Sequence, residues 1–121
     1  MYLIQNAQIW SPEPLGIVDI LVAGGRVAAM GPNLDVRLPG LRSADLQGAV
    51  LTPGLIDQHV HVAGAGGKRG FSSLTGEISM DEFMAVGSTT VVGLLGTDGA
   101  TRSIEALYAK VQGLNEQGMS A

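Results

Sequence analysis

The segment from Leu51 to His61 constrains the fold of this chain most strongly, because it joins an apolar run to the chain's two histidines. Pro53 and Gly54 precede the apolar run, and a glycine-rich loop at residues 64–67 follows His61. A short apolar run with turn residues on both sides is typical of a buried strand. We therefore predict a buried strand over residues 55–61, with the histidines towards its end.

The His-X-His spacing points to a metal. Side chains at positions i and i+2 of a strand lie on the same face, so His59 and His61 can direct two imidazoles at one ion. Catalytic zinc commonly takes three protein ligands and a water molecule. Asp57 is either a third ligand or a hydrogen-bond partner that orients an imidazole. The chain has no cysteine and no third histidine. The predicted site is therefore incomplete here, and the alternative is that both histidines are ordinary core or surface residues.

Residues 1–52 predict a small β module. Residues 2–10 form an irregular strand that the proline-rich segment 11–14 should end, because proline disrupts a paired ladder. Two β-prone runs, 19–23 and 26–30, flank Gly24-Gly25 and predict a hairpin. Residues 31–43 are loop-like, and residues 44–50 suit one more short strand. So few strands cannot close a core, and we expect strands from elsewhere to complete the sheet.

Residues 53–121 follow a different pattern. Ser79 and Glu82 have the spacing of a capping box, and Gly87 suits the end of that helix. Residues 88–95 form an apolar run typical of a buried parallel strand. A second helix spans about residues 101–117, and a third strand should start near Met119. Strands and helices that alternate in this way predict the opening of a parallel α/β sheet.

Composition excludes several classes of partner. The formal net charge of -4 argues against a nucleic-acid or anionic-membrane partner. No apolar run approaches the roughly 20 residues that span a bilayer, and the N-terminus lacks the basic region of a signal peptide. With 45% hydrophobic and 15% charged residues, the chain should be ordered. We expect a cytoplasmic protein without a membrane partner.

The segment Pro53–His61 resembles the first-strand signature of the amidohydrolase superfamily, which is Pro-Gly, two apolar residues, Asp-X-His-X-His. More narrowly, the chain is similar to the bacterial isoaspartyl (β-aspartyl) dipeptidase family. The similarity covers nearly the whole chain and is best from about residue 50 onward. The segments that carry it are Ile56–His61, Val91–Asp98 and Leu114–Ala121.

This resemblance implies an α/β fold: a small β-sandwich followed by a TIM-type (β/α)8 metallo-hydrolase barrel. Residues 1–52 would be the N-terminal part of the sandwich, and residues 53–121 the first βα units of a barrel that this chain leaves incomplete. It also implies two zinc ions, with His59 and His61 on the more buried one. The bridging carboxylated lysine, two further histidines and the general-base aspartate would lie outside this chain, since neither Lys68 nor Lys110 occupies the bridging position. No catalytic residue is expected here, so the 121 residues alone should be inactive, and the full-length enzyme should be a homo-oligomer.

The resemblance further implies that Gly66, Gly67, Lys68 and Thr97 contact the substrate, a β-aspartyl dipeptide. The family has glutamate where this chain has Lys68, and that glutamate would favour the α-ammonium group of the substrate. Lysine reverses the charge, which keeps open a dihydroorotase-like or N-acyl amino-acid hydrolase. A third interpretation is a non-catalytic structural fragment. For the two residues themselves, the alternatives are a solvated loop side chain at Lys68 and turn or capping chemistry at Thr97.

Overall fold

The computed structural model describes all 121 residues, which divide into two compact units. Unit 1 is Met1–Pro53 and unit 2 is Gly54–Ala121. The division falls between Pro53 and Gly54, one residue after the boundary between residues 52 and 53 that the sequence suggests. Neither α-helix has the length and apolar character that a membrane-spanning helix needs.

Unit 1 is a five-stranded mixed sheet. Its strands are β1 (Tyr2–Trp10), β2 (Pro14–Ala23), β3 (Arg26–Gly31), β4 (Arg42–Asp45) and β5 (Val50–Leu51). The spatial order is β3-β2-β1-β4, and β5 also pairs with β1. The contacts β1–β2 and β2–β3 are antiparallel, whereas β4 and β5 run parallel to β1.

The predicted hairpin is confirmed, but other strand limits differ from the prediction. Gly24 and Gly25 have φ of 57° and 72°, as a two-residue hairpin turn requires. Strand β2 already begins at Pro14, which faces Trp10 at the first position of the strand, where a missing N–H is tolerated. The single strand predicted over residues 44–50 is instead the two short strands β4 and β5. Positive φ at Gln47 and Gly48 separates them.

The core of unit 1 is small. Ala7, Ile9 and Ile20 form its one cluster, and Leu3 is buried outside that cluster. A shift of register between Ile4 and Ala7 interrupts the β1–β2 ladder, and Asn6 lies there with φ of 53°. A large share of the apolar surface stays uncovered, as Val27 at 63% exposure shows. This agrees with the expectation that so few strands cannot enclose a core of their own.

Unit 2 contains two parallel strands and two α-helices. Strand β6 is Leu55–Val60, β7 is Ser88–Gly93, α1 is Met80–Ala85 and α2 is Ile104–Glu116; a short 3-10 turn spans Phe71–Ser73. The capping box is confirmed, because Ser79 Oγ accepts from Glu82 N–H while Glu82 accepts from Ser79 N–H. The third strand is also indicated, since the Ser120 carbonyl accepts from Val91 N–H at 2.9 Å.

The prediction that β6 is buried is wrong for this chain. The core of unit 2 holds Val62, Phe83, Val91, Leu114 and Met119. Leu55 and Ile56, however, are 60% and 63% exposed. Strand β6 pairs with β7 alone, so nothing in unit 2 covers most of its surface. For the same reason β7 is buried on one face only, with Val92 exposed. The coarse prediction of mixed α/β structure holds.

Candidate metal and substrate site

The two histidines lie together at the carboxyl end of β6. The strand ends at Val60, and His61 is the first residue beyond it. The ring centroids of His59 and His61 are 5.3 Å apart, and the ring planes make an angle of 79°. His59 is exposed and His61 is partly buried. The structure therefore places both imidazoles on one side of a strand end, as the spacing predicts.

Leu94, directly after β7, holds this strand end in place. Its backbone N–H donates to the Val60 carbonyl at 2.9 Å, and its carbonyl lies 3.2 Å from Nδ1 of His61. When Nδ1–H donates to that carbonyl, Nε2 carries a free lone pair for a metal. The neighbouring Gly96 permits this packing, because a Cβ there would meet the Ala65 Cβ at 2.8 Å and the His61 ring at 3.4 Å. Thus the residue that follows β7 orients the histidine that follows β6.

Asp57 has a local partner. Its Oδ1 accepts a hydrogen bond from the backbone N–H of His59 at 3.0 Å. The contact that orients an imidazole comes instead from the Leu94 carbonyl. Nowhere in the chain do three residues among His, Cys, Asp and Glu form a group able to hold a metal ion. The donor set of the chain therefore fits two positions of a metal shell, both imidazole nitrogens.

A cleft of about 710 Å³ borders the histidines. Glu77 and Glu82 also line it. Neither carboxylate is free, because Glu82 closes the capping box and Glu77 pairs with Lys110 at 3.3 Å. Hydrogen bonds from Ser79 to Glu82 hold the pKa of that carboxyl below its usual range. The cleft thus presents two imidazoles beside carboxylates that already have partners.

A second, smaller cavity brings together all four residues predicted to contact substrate. It has a volume of about 240 Å³, and Gly66, Gly67, Lys68 and Thr97 line it. The Thr97 hydroxyl donates to the Gly66 carbonyl at 2.9 Å, which ties the loop after β7 to the loop after β6. The histidines do not line this cavity. Metal-binding and substrate-binding candidates therefore border two neighbouring cavities, joined along the chain by Ala65 and Gly66.

Asp98, which is not among the site residues predicted from the sequence, also lines the smaller cavity. The side chain is buried, and its Oδ1 accepts from the N–H groups of Ala100 and Thr101 at 3.0 and 2.9 Å. The Thr101 hydroxyl also bonds this carboxylate. These hydrogen bonds hold the pKa of Asp98 below its usual range, and the bond from the Thr101 hydroxyl has the largest effect. An aspartate at a strand end followed by Gly-Ala-Thr was the available signal for such a turn.

Arg102 is a second residue near the site whose position no local sequence pattern predicts. Its Nη2 lies 3.4 Å from the Thr75 carbonyl, so the guanidinium reaches the loop that follows β6. Its Nε is buried without a hydrogen-bond partner. An arginine side chain is most often solvated. Only the tertiary structure shows that Arg102, in the loop after β7, reaches Thr75 in the loop after β6.

Comparison with known proteins gives relatives over most of the chain. No family model matches. A dihydroorotase of Streptococcus pneumoniae is 30% identical over 114 residues, which are 93% of this chain and 26% of the relative. An adenine deaminase of Deinococcus radiodurans is 45% identical over 62 residues, 50% of this chain and 11% of that protein. The chain thus spans about a quarter or less of these two curated relatives.

Solved structures give a fuller match. A β-aspartyl dipeptidase of Fervidobacterium islandicum AW-1, in complex with the dipeptide β-Asp-Leu, is 42% identical with a TM-score of 0.90. The match covers 98% of this chain and 31% of that structure. A D-hydantoinase of a Thermus species, 23% identical with a TM-score of 0.64 over 90% of this chain and 23% of its own, shares the fold. The chain corresponds to about a third of the dipeptidase.

Proposed function

This chain belongs to the amidohydrolase superfamily and matches the N-terminal portion of β-aspartyl dipeptidases, and we propose that it is that portion of a metal-dependent isoaspartyl dipeptidase. The observation that carries the proposal is the match, over nearly the whole chain, to a dipeptidase that binds β-Asp-Leu. The reaction is hydrolysis of the isopeptide bond of β-aspartyl dipeptides. Cytoplasmic location and homo-oligomeric assembly stay predictions.

The proposed complete fold is a β-sandwich and a (β/α)8 barrel. Units β6-α1 and β7-α2 would be its first βα repeats, since their strands are parallel and a further strand starts beside β7. Exposed Leu55 and Ile56 on β6 would be covered by later strands. In unit 1, an apolar groove of about 500 Å³ that includes Val27 and Met30 would be covered by the rest of the sandwich.

His59 and His61 would hold one zinc ion, and the other ligands would come from later residues. Bound zinc polarises a carbonyl group and lowers the pKa of a water molecule towards 7. The residues of this chain keep the two imidazoles in place. The Leu94 carbonyl fixes the tautomer and ring plane of His61, while Asp57 orders the backbone at His59. Two pre-oriented ligands lower the entropy cost of assembling the rest of the site.

Gly66, Gly67, Lys68 and Thr97 would bind the acyl half of the dipeptide. Consecutive residues of the loop after β6 line the two cavities. Ala65 lines the histidine cleft, and Gly66 lines the smaller cavity. Loops at the carboxyl ends of barrel strands are where such folds bind substrates. The hydrogen bond from Thr97 to Gly66 supports this assignment, because it unites the loops that follow two adjacent strands.

The second candidate function is another amidohydrolase, acting on a cyclic amide or an N-acyl amino acid. Two observations favour it: the dihydroorotase relative covers 93% of the chain, and a lysine lines the cavity proposed for substrate. The third interpretation, a non-catalytic fragment, would hold if the full-length protein binds no metal and hydrolyses none of these substrates.

The test is a substrate panel given to the purified full-length protein with zinc supplied. We expect hydrolysis of β-Asp-Leu and no hydrolysis of α-Asp-Leu. The second compound joins the same two amino acids through an ordinary peptide bond. Ring-opening of a cyclic amide or release of leucine from N-acetyl-leucine, without β-Asp-Leu hydrolysis, would favour the second candidate. Chromatography measures free leucine for the three leucine compounds and the ring-opened acid for the cyclic amide.

A further inference from the structure

The Lys68 cavity has room for one terminal group of a ligand. Its volume of about 240 Å³ is smaller than the ~300–1,000 Å³ of cavities that enclose whole drug-sized molecules. Four of its ten lining residues are glycines, and Phe71 and Leu74 add an apolar surface. Such a cavity selects by the charge and hydrogen bonding of the few polar groups that reach it.

Lys68 is the free charge of this cavity. The chain has two ion pairs, Arg37–Asp35 and Lys110–Glu77, so no carboxylate lies within 4.0 Å of the Lys68 ammonium. The other charged lining residue is Asp98, whose oxygens already accept from Ala100 and Thr101. The cavity therefore has a positive charge without a partner and no unused carboxylate to receive an ammonium group.

The adjacent groups differ in what they offer a ligand. Arg69 follows Lys68 and has no carboxylate within 4.0 Å, but it does not line the cavity. The Thr97 hydroxyl proton is committed to the Gly66 carbonyl, so its oxygen can only accept from a ligand. Among the residues that line the cavity, Lys68 is therefore the group that can pair with a ligand carboxylate.

We propose that this cavity binds a carboxylate on the acyl half of the substrate, and that Lys68 is the residue that selects for it. The inference rests on the proposed function and deepens it, by naming which charged group of that half decides recognition. A β-aspartyl group carries both an α-carboxylate and an α-ammonium on one carbon. Lys68 attracts the first and repels the second, so the carboxylate is required and the ammonium is dispensable.

Two matched compounds separate these groups. N-succinyl-leucine keeps the carboxylate of β-Asp-Leu and lacks its ammonium, whereas β-alanyl-leucine keeps the ammonium and lacks the carboxylate. For the full-length protein we expect kcat/KM, or the association constant by calorimetry for a compound that is not cleaved, to be about tenfold higher for N-succinyl-leucine. Lys68→Glu should reverse this order, and Lys68→Met should remove most of the difference.

Arg69→Met is the control, because it removes an adjacent positive charge that does not line the cavity. It should leave the order of the two compounds unchanged. Equal binding of the two compounds, a preference for β-alanyl-leucine, or an order that Lys68→Glu does not change would overturn the inference. Failure to hydrolyse β-Asp-Leu would refute the proposed function alone, since the binding constants of the two compounds would still decide the role of Lys68.

Discussion

The two compact units each contain a buried aspartate that binds backbone N–H groups, and they differ in what the aspartate holds. In unit 1, Asp19 accepts from the N–H groups of Asn6 and Leu34 at 2.8 and 2.9 Å, beside the irregular part of β1. In unit 2, Asp98 shapes the loop after β7, next to Thr97. The same contact thus serves a sheet in one unit and a cavity wall in the other. A buried carboxylate is not by itself evidence of catalysis.

The cores differ as well. Unit 1 has a core cluster of two isoleucines and an alanine, next to an open apolar groove. Unit 2 has a core cluster of five buried residues that include Phe83 and Leu114. A side chain that borders an open groove leaves less of a cavity when it is shortened. We therefore expect unit 2 to depend more on single large side chains than unit 1 does.

In the 121-residue chain, where the groove of unit 1 is open, the largest effect should come from Leu114→Ala. This side chain is 1% exposed, so truncation should lower the free energy of unfolding by about 2–5 kcal/mol, by urea denaturation. Ile9→Ala in unit 1 should lie at the lower end, near 2 kcal/mol, because Ile9 lines the groove. Tyr108→Ala, at an exposed position of the same helix, should change the value by no more than ~0.5 kcal/mol. A greater loss for Ile9 than for Leu114 would break the comparison of the cores.

A smaller loss is expected from Asp19→Ala. It leaves two N–H groups in the β1 region without their acceptor, at a cost of about 1–3 kcal/mol. Asp35→Ala is the matched control, because that carboxylate is 75% exposed and pairs with Arg37 at the surface, where ~0–1 kcal/mol is typical. Urea denaturation measures both. Equal effects of the two variants would show that Asp19 does not hold the sheet.

The smallest effect on stability should come from protonation of Asp98 at low pH. Its pKa is lowered in the folded state, chiefly by the Thr101 hydroxyl, so the carboxylate stabilises the fold above about pH 4. That contribution is lost as the pH falls through the lowered pKa. A carboxyl titration by NMR should give a midpoint below the usual aspartate value, and Asp98→Asn should make acid unfolding less steep below about pH 4. A midpoint at or above the usual value contradicts this description of the loop.

Local signals predicted much of the fold. The Gly24-Gly25 hairpin, the capping box at Ser79, the helix end at Gly87 and the parallel strand from Ser88 each depend on a few adjacent residues, and all are present. What local signals could not fix is which strands lie side by side. The division of residues 44–50 into β4 and β5 follows from pairing with β1, and the exposure of Leu55 follows from the number of strands beside β6.

The candidate site was predicted to a similar degree. The His-X-His spacing predicted two imidazoles together, because strand geometry alone decides that. Contacts across the loops were not predictable from spacing: the Leu94 carbonyl at His61, the Thr97 hydroxyl at Gly66 and the Arg102 guanidinium near Thr75. Each joins segments at least 27 residues apart, so each depends on the tertiary structure rather than on a motif.

The central claim is that His59 and His61 bind a catalytic metal ion, and metal analysis of the full-length protein tests it most directly. Mass spectrometry of metals after dialysis should find about two zinc ions per chain in the wild type, as expected for a two-metal hydrolase. His59→Ala and His61→Ala should each lose zinc, whereas Gln58→Ala, an exposed position of β6 directly before His59, should keep it. Unchanged zinc content in both histidine variants, with both proteins folded, would contradict the account.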